Sequence, residues 1–349
     1  MLGAVIGWDI GGAHLKAARV ENGRVVKAVQ IPSPLRLGVA SVDDALAQAT
    51  ALMGIAERHA VTMTGELADT FQGRREGVEV LSAVAARHLS PLMLYAGRAG
   101  FIAPQHASEH VADIASANWH ASTAFVAQAG GTALFADMGS TTTDLVPVRD
   151  GAIVAGGYTD AERLAAGELV YTGLVRSPVM TIARHAPVTG QWTPLVNEHF
   201  ATMADVHRIL GALPADADQM TTADGRDKTR GSSRARLARI VGRDAADLDD
   251  AAWLELARWF AEAQMRTVTD AAMLVLSRGH LPADAAVVGA GIGETVLHEL
   301  ARRLGRPYVS FVSFLDVAPD TARWASHCAP AAALAVLASQ AEPNRLPGV

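Results

Sequence analysis

Phe135-Ala136-Asp137-Met138-Gly139-Ser140-Thr141-Thr142-Thr143-Asp144-Leu145 sets two acids, a glycine and four consecutive hydroxyl residues between apolar runs. It reads as strand, tight turn, strand. A glycine lets the backbone close around an anion, and N–H groups with hydroxyls grip phosphate oxygens. Asp137, at a strand end, is placed to hold a metal ion directly or through water. The start of the chain repeats the form in Val5-Ile6-Gly7-Trp8-Asp9-Ile10-Gly11-Gly12-Ala13-His14-Leu15-Lys16. Asp9-x-Gly11 and Asp137-x-Gly139 lie 128 residues apart. One D-x-G marks an ordinary turn. Two, each between strand-like runs, point to duplicated lobes that each offer a phosphate-binding hairpin.

A third glycine-rich element comes late. An apolar strand over 285–288 runs into Gly289-Ala290-Gly291-Ile292-Gly293, and a helix over 295–304 follows. Strand, G-x-G-x-G, helix is a nucleotide or phosphate turn, because a helix N-terminus favours an anion. It is not G-x-G-x-x-G, so a dinucleotide site is the weaker reading.

The elements that must position these turns follow from periodicity. Strands are expected over 4–10, 15–20 and 25–31, with Asn22-Gly23 as a hairpin turn. Ser41 reads as the N-cap of a helix to about residue 58. A short strand over 59–64, a helix over 76–88, a strand over 92–95 and a helix over 114–128 complete the first lobe, 1–130. The second lobe, 131–349, opens on the 132–148 hairpin and a third strand over 152–155; a helical segment follows over 160–168. Residues 185–230 carry Pro187, Pro194, Pro214 and many small polar residues, and read as an irregular insertion, either a lid or a passive excursion. A long helix over 251–277 places Trp253, Leu256 and Phe260 at core spacing. A strand over 307–311, a helix over 328–340 and a loose tail over 342–349 end the chain.

A chain of 349 residues is long enough for two domains. Half of it is hydrophobic and 19% charged, which excludes a disordered protein. A net charge of -6 argues against nucleic-acid binding. The only lysines are Lys16, Lys27 and Lys228, so Lys16 in the first hairpin stands out. Cys328 is the only cysteine; no internal disulfide can form, which fits a reducing compartment, and its Ala-rich surroundings read as a buried thiol. No run of about 18 apolar residues occurs and no basic leader is recognisable. The expectation is a cytoplasmic protein with small-molecule substrates and no membrane or nucleic-acid partner. The oligomeric state stays open, a homo-oligomer included. His106 and His110 read as surface residues, and no zinc-type histidine spacing occurs.

Two hairpins and a late Gly-rich turn, in that order, resemble the actin-like ATPase superfamily. The resemblance implies an α/β, two-lobed, duplicated ribonuclease H-like fold with an interlobe cleft. A narrower likeness rests on Gly7–Lys16, Thr62-Met63-Thr64-Gly65-Glu66-Leu67, Tyr95-Ala96-Gly97, Ala115-Ser116-Ala117-Asn118-Trp119, Asp137–Asp144, Gly167-Glu168-Leu169-Val170-Tyr171-Thr172-Gly173, Ala223-Asp224-Gly225-Arg226 and Gly289-Ala290-Gly291. These resemble the hydantoinase/oxoprolinase-related proteins of the tetrahydromethanopterin-linked one-carbon pathway of methylotrophs and methanogens. That family includes the methanofuran-biosynthesis enzyme.

The resemblance implies a transferase that couples an aminomethylfuran-methyl diphosphate to the phenol of a glutamyltyramine-type acceptor, releasing diphosphate. Gly11, Gly12, Lys16, Gly139, Ser140, Thr141 and Thr142 would hold the diphosphate, with Gly289 and Gly291 as further phosphate-binding positions. Asp9 and Asp137 would hold Mg²⁺; ATP is an allowed but not required ligand. Asp144, His14 and Glu168 are the candidate catalytic acceptors of the phenol's proton. Asn118, Trp119, Tyr171, Arg98 and Arg176 are candidate substrate contacts, the arginines for glutamate carboxylates. Glu66 has two readings, a cleft-facing acid or a helix N-terminal one. The competing functions are an ATP-dependent small-molecule kinase or hydantoinase/oxoprolinase-like hydrolase, and a nucleotide-switched non-catalytic partner protein.

Overall fold

A computed structural model describes residues 3–214 and 216–341; the tail expected over 342–349 lies outside them. The chain divides into two compact units: Met1–Phe135, Pro147–Asp160 and Val309–Val349 form the first, Ala136–Val146 and Ala161–Tyr308 the second.

The first unit begins as an antiparallel meander of β1 (Val5–Ile10), β2 (His14–Glu21) and β3 (Arg24–Pro32). Asn22 and Gly23 turn it with φ of 51° and 83°, the left-handed pair a two-residue hairpin demands. Helix α1 (Ala40–Met53) follows, then β4 (Arg58–Met63), α2 (Arg74–His88), β5 (Leu92–Tyr95), β6 (Phe101–Ile102), α3 (Val111–Ile114) and α4 (Asn118–Gln128). The sheet order is β3-β2-β1-β4-β5-β6, with β4 parallel to both β1 and β5. Alternation along β1 divides its side chains. Ile6, Trp8 and Ile10 join the core with Leu46 and Leu81, whereas Val5 packs with Leu334 and Ala338.

Two expectations shift here. Helix α1 begins at Ala40 instead of after Ser41, whose hydroxyl donates to Gly38 O (2.8 Å), and it stops at Gly54, φ 75°. The helix read over 114–128 is broken in two, with Ser116 between the halves at φ 54°.

The second sheet contains β7 (Ala133–Met138) and β8 (Thr143–Arg149), with the short β9 (Ala152–Ile153) paired to β8. Then come α5 (Asp160–Ala166), β10 (Leu169–Val170), α6 (Val179–Ile182), β11 (His185–Val188), β12 (Gln191–Pro194), α7 (Met203–Leu210), α8 (Arg230–Ile240), α9 (Asp250–Leu276), β13 (Ala286–Ala290), α10 (Glu294–Arg303) and β14 (Tyr308–Ser310). The order is β10-β8-β7-β13-β14.

The irregular insertion expected over 185–230 is corrected. It contains a β-hairpin and α7, whose start is closed by a Thr202/Asp205 capping box and whose end turns at Gly211, φ 72°. Val188, Met203, Val206 and Ile209 pack with Leu237 and with Trp253, Leu256 and Phe260 of α9. The apolar residues are spaced too widely among polar ones to reveal this core locally.

The chain closes with α11 (Ala322–His327) and α12 (Ala329–Gln340). Residues 309–341 group with the first unit, not with a second lobe reaching the end of the chain, because α12 packs on β1 and α4. Its Ala-rich surface is buried on every side, from Ala329 to Ser339, as an all-apolar helix requires. Cys328 is fully buried at its start. Gly7 lets α12 approach: a β-carbon there would meet Ala331 O and stand 2.6 Å from Ala335 N. Gly7→Ala is expected to cost about 3 kcal/mol by overpacking, read as a lowered urea midpoint. Among the described residues no helix is long and apolar enough to cross a membrane.

Candidate functional site

The two hairpin turns are built alike, as expected of a duplication. Gly11 N–H donates to His14 O (3.0 Å) and Gly139 N–H to Thr142 O (2.9 Å). Further bonds fix each turn through its carbonyls. Thr64 N–H and Gly65 N–H both reach Ile10 O (2.9 and 3.0 Å), and Leu35 N–H reaches Gly12 O (3.0 Å). In the second turn, Leu174 N–H meets Gly139 O (3.0 Å), while Val175 and Arg176 N–H meet Ser140 O (3.1 and 2.7 Å). An added β-carbon at Gly12 would meet nothing within 4 Å, and at Gly139 only Thr142 O at 3.7 Å. Gly12 and Gly139 therefore leave open space, whereas a β-carbon at Gly11 would stand 2.9 Å from His14 O.

Asp9 lies opposite Lys16 on β2 and Thr62 on β4, 4% exposed; Asp137, next to last in β7, is 9% exposed. Lys16 acts on buried His327, whose pKa falls to about 4, chiefly by burial, then through Arg323 and Lys16. Among the described residues no group of three or more His, Cys, Asp or Glu could cage a metal. Each turn taken by itself offers one carboxylate, and Mg²⁺ keeps several waters and takes one or two carboxylates plus substrate phosphates.

The expected catalytic acids of the second unit are engaged. Asp144 Oδ1 accepts from Arg163 Nη2 (2.8 Å), both buried. Glu168, fully buried, pairs with Arg278, which also donates to Ala166 O. His14, 5% exposed, opens β2 opposite Pro32.

The glycines of the Gly-rich turn have a packing reason of their own. A β-carbon at Gly289 would strike the Tyr308 ring, and one at Gly291, φ 90°, would strike Asp137 Oδ1 and Met138 O. These glycines admit close packing onto β7 and β14.

Of the candidate substrate contacts, Arg98 lies 4.0 Å over the Tyr158 ring, and Trp119, 3% exposed, meets Tyr158 edge-on (5.7 Å). Asn118 Oδ1 accepts from Trp119 N–H (2.7 Å) at the start of α4. Arg176 donates to Thr141 Oγ1 (3.3 Å), which puts it on the second turn. Tyr171 is 64% exposed.

The first unit also assembles a cluster that sequence reasoning did not commit to. Glu66 is fully buried, and Ser116 Oγ lies 3.0 Å from its Oε1 and 3.1 Å from Asp160 Oδ2. Arg74 Nη2 donates to the same Asp160 oxygen (2.6 Å). Glu66 Oε2 is buried with no hydrogen-bond partner. Two glycines admit this acid: a β-carbon at Gly77 would strike the Glu66 backbone, and one at Gly65 would stand 3.3 Å from Gly11 C and O. Ser116, Asp160 and Arg74 line a cavity of about 340 Å³ with Arg75, Glu109 and Ala112. Thr64-Gly65-Glu66 and Ala115-Ser116-Ala117 were visible motifs; Arg74 and Asp160 carried no local signal.

Burial pushes the Glu66 carboxyl up from 4.5 to about 7, and Asp160 adds to the rise, while the Ser116 bond and Arg74 oppose it. Between those values the folded chain binds more protons than the unfolded one, so stability present at pH 4 is lost as pH rises through 7. By pH 8 ionised Glu66 costs about 3 kcal/mol. Glu66→Gln is expected to remove this slope, read from urea unfolding at pH 5 and pH 8.

The hydantoinase/oxoprolinase family profile matches residues 57–338. A Methanocaldococcus jannaschii protein, (4-{4-[2-(γ-L-glutamylamino)ethyl]phenoxymethyl}furan-2-yl)methanamine synthase, is 30% identical over 297 residues, covering 84% of this chain and 88% of its own. A Methanococcus vannielii protein of the same name is 32% identical over 111 residues, 32% of this chain and 50% of that protein. Among solved structures, nucleotide-free acetone carboxylase aligns with a TM-score of 0.57 at 12% identity, over 95% of this chain and 70% of that one. The fold is that of the actin-like ATPases, as expected.

Proposed function

The chain belongs to the hydantoinase/oxoprolinase family, and on that premise we propose that it is an ether-forming transferase of methanofuran-type coenzyme biosynthesis. The observation that carries this reading is 30% identity to the M. jannaschii synthase across 84% of the chain. That relative's product joins an aminomethylfuran to a γ-glutamylaminoethyl phenol through a phenoxymethyl ether. Disconnected at the ether, it yields a furfuryl carbon bearing a leaving group and the phenol of a glutamyltyramine. The proposed reaction couples the two with loss of diphosphate.

A furfuryl carbon ionises readily because the ring oxygen shares its positive charge. The protein's work is then to hold diphosphate, exclude water and aim the phenol. Each hairpin turn is proposed to hold phosphate oxygens: Gly11, Gly12 and Lys16 in the first, Gly139, Ser140, Thr141 and Thr142 in the second. Asp9 and Asp137 are the proposed Mg²⁺ carboxylates, and a bound Mg²⁺ would neutralise charge on the leaving group. A cytoplasmic location and small-molecule substrates belong to the same proposal.

The test supplies Mg²⁺, the aminomethylfuran-methyl diphosphate and γ-glutamyltyramine. Diphosphate release matched mole for mole by the ether mass is expected. ATP consumption with no ether would sink the reading and favour a kinase or hydrolase.

A further inference from the structure

We propose that the cavity beside α2 and α3 binds the phenolic acceptor, and that Ser116 passes the phenol's proton to Glu66. This assignment rests on the ether-forming reading and adds the acceptor site to it. The cavity holds about 340 Å³, enough for a phenol ring and part of its side chain. Val111, Ala112 and Ala115 give it an apolar wall for the ring, and Ser116 supplies a hydroxyl at its edge. Arg75 and Glu109 also line it, one of each charge. An acceptor ending in an α-amino acid carries both complementary charges.

Ser116 has one hydroxyl proton and two carboxyl oxygens in range, at 3.0 and 3.1 Å. With Glu66 ionised, the hydroxyl donates to Glu66 Oε1. With Glu66 protonated, the acid donates to Ser116 Oγ and the hydroxyl turns to Asp160 Oδ2, which Arg74 holds in place. The same three side chains therefore accommodate either state of Glu66 without moving. An ordinary structural acid has no need of the second acceptor.

In the reaction the phenol O–H bond breaks and its proton joins Ser116 Oγ, as the proton of Ser116 joins Glu66 Oε1. The phenol oxygen bonds to the furfuryl carbon, and diphosphate leaves with the electron pair of the broken C–O bond. Glu66 then returns its proton through Ser116 and Asp160 to the cavity and solvent. The Thr64–Gly65 bonds to Ile10 O tie this acid to the first phosphate turn. Charged or titratable groups on the surrounding elements include Arg74, Arg75, Glu76 and Glu79 of α2, Asp113 of α3, Asp160 and Glu162 of α5, and Asp9, His14 and Lys16 of the first hairpin. Of these, Asp160 raises and Arg74 lowers the proton affinity of Glu66.

Initial rates of ether formation between pH 5.5 and 9 test the relay. Wild-type kcat/KM for γ-glutamyltyramine is expected to climb with pH and level off above about 7. Glu66→Gln should lower kcat about 100-fold or more and abolish that limb. Asp160→Asn, which removes a repelling charge, should move the limb to lower pH. Ser116→Ala, which removes a bond to the ionised form, should lower kcat and move any remaining limb to higher pH. A limb unmoved in Asp160→Asn, or still present in Glu66→Gln, would overturn the relay. Calorimetric titration with γ-glutamyltyramine alone tests the pocket, and Ala112→Trp should weaken binding at least tenfold. If ether forms but Ala112→Trp binds like wild type, the pocket is wrong and the reaction stands. If no ether forms while Ala112→Trp still loses the phenol, the reaction is wrong and the pocket stands.

Discussion

Asp137→Asn is expected to lower ether formation about 10³-fold while leaving thermal unfolding within a few degrees of wild type. The two side chains have nearly one shape, so the change removes charge and little else. Asp137 Oδ1 lies against Gly291, where any β-carbon would strike it, so the acid needs a glycine at that place. Near the end of β7 this carboxylate precedes a turn of hydroxyls and backbone N–H groups. On the proposed reading that carboxylate helps bind Mg²⁺ with the diphosphate. An amide binds Mg²⁺ far more weakly, and the leaving group then departs unneutralised. Diphosphate release and ether mass, measured over a range of Mg²⁺, should both fall, with partial recovery at high metal. Activity within tenfold of wild type at low Mg²⁺ would remove Asp137 from the metal and leave the turn as a purely structural feature.

How legible these residues were in the sequence depended on distance along the chain. Both turns could be read because each is closed by one bond spanning three residues, Gly11 to His14 and Gly139 to Thr142. Helix α9 could be read because its apolar residues recur with the helical period over 27 residues. Glu66, Ser116 and Asp160 could not be assembled, because 50 and 44 residues separate the bonded pairs. Single polar residues carry no periodic signal. The break that exposes Ser116 was also hidden, since residues 114–128 satisfy a helical pattern across it. Gly289 and Gly291 were noticed for close backbone approach, and Tyr308 and Asp137 do approach them, neighbours no local pattern names.

The same limit explains the segment before α8 and leads to a large stability prediction. The segment read as part of an irregular insertion, yet Asp218 and Asp224 in it are fastened to arginines of the second unit. Arg236 is fully buried. Its Nε donates to Asp205 Oδ1 (2.9 Å), and its Nη1 donates to Asp224 Oδ1 (3.0 Å) and Asp227 O (3.2 Å). Asp205 closes the cap of α7, Arg239 holds the other oxygen of Asp224 (3.2 Å), and Arg208 pairs with Asp218. Asp224-Gly225-Arg226, noticed as a motif, is therefore an anchored turn whose acid is gripped from α8. Arg236→Ala leaves buried Asp205 short of its main counter-charge and creates a void. The expected loss is about 3–5 kcal/mol, with the segment over 216–229 gaining proteolytic sensitivity first. Arg234→Ala, two residues earlier in an exposed pair with Asp250, should cost about 0.5 kcal/mol or less. Urea unfolding of the two variants separates the cases: similar midpoints would mean that Arg236 is held by packing alone and that its ion pairs add nothing.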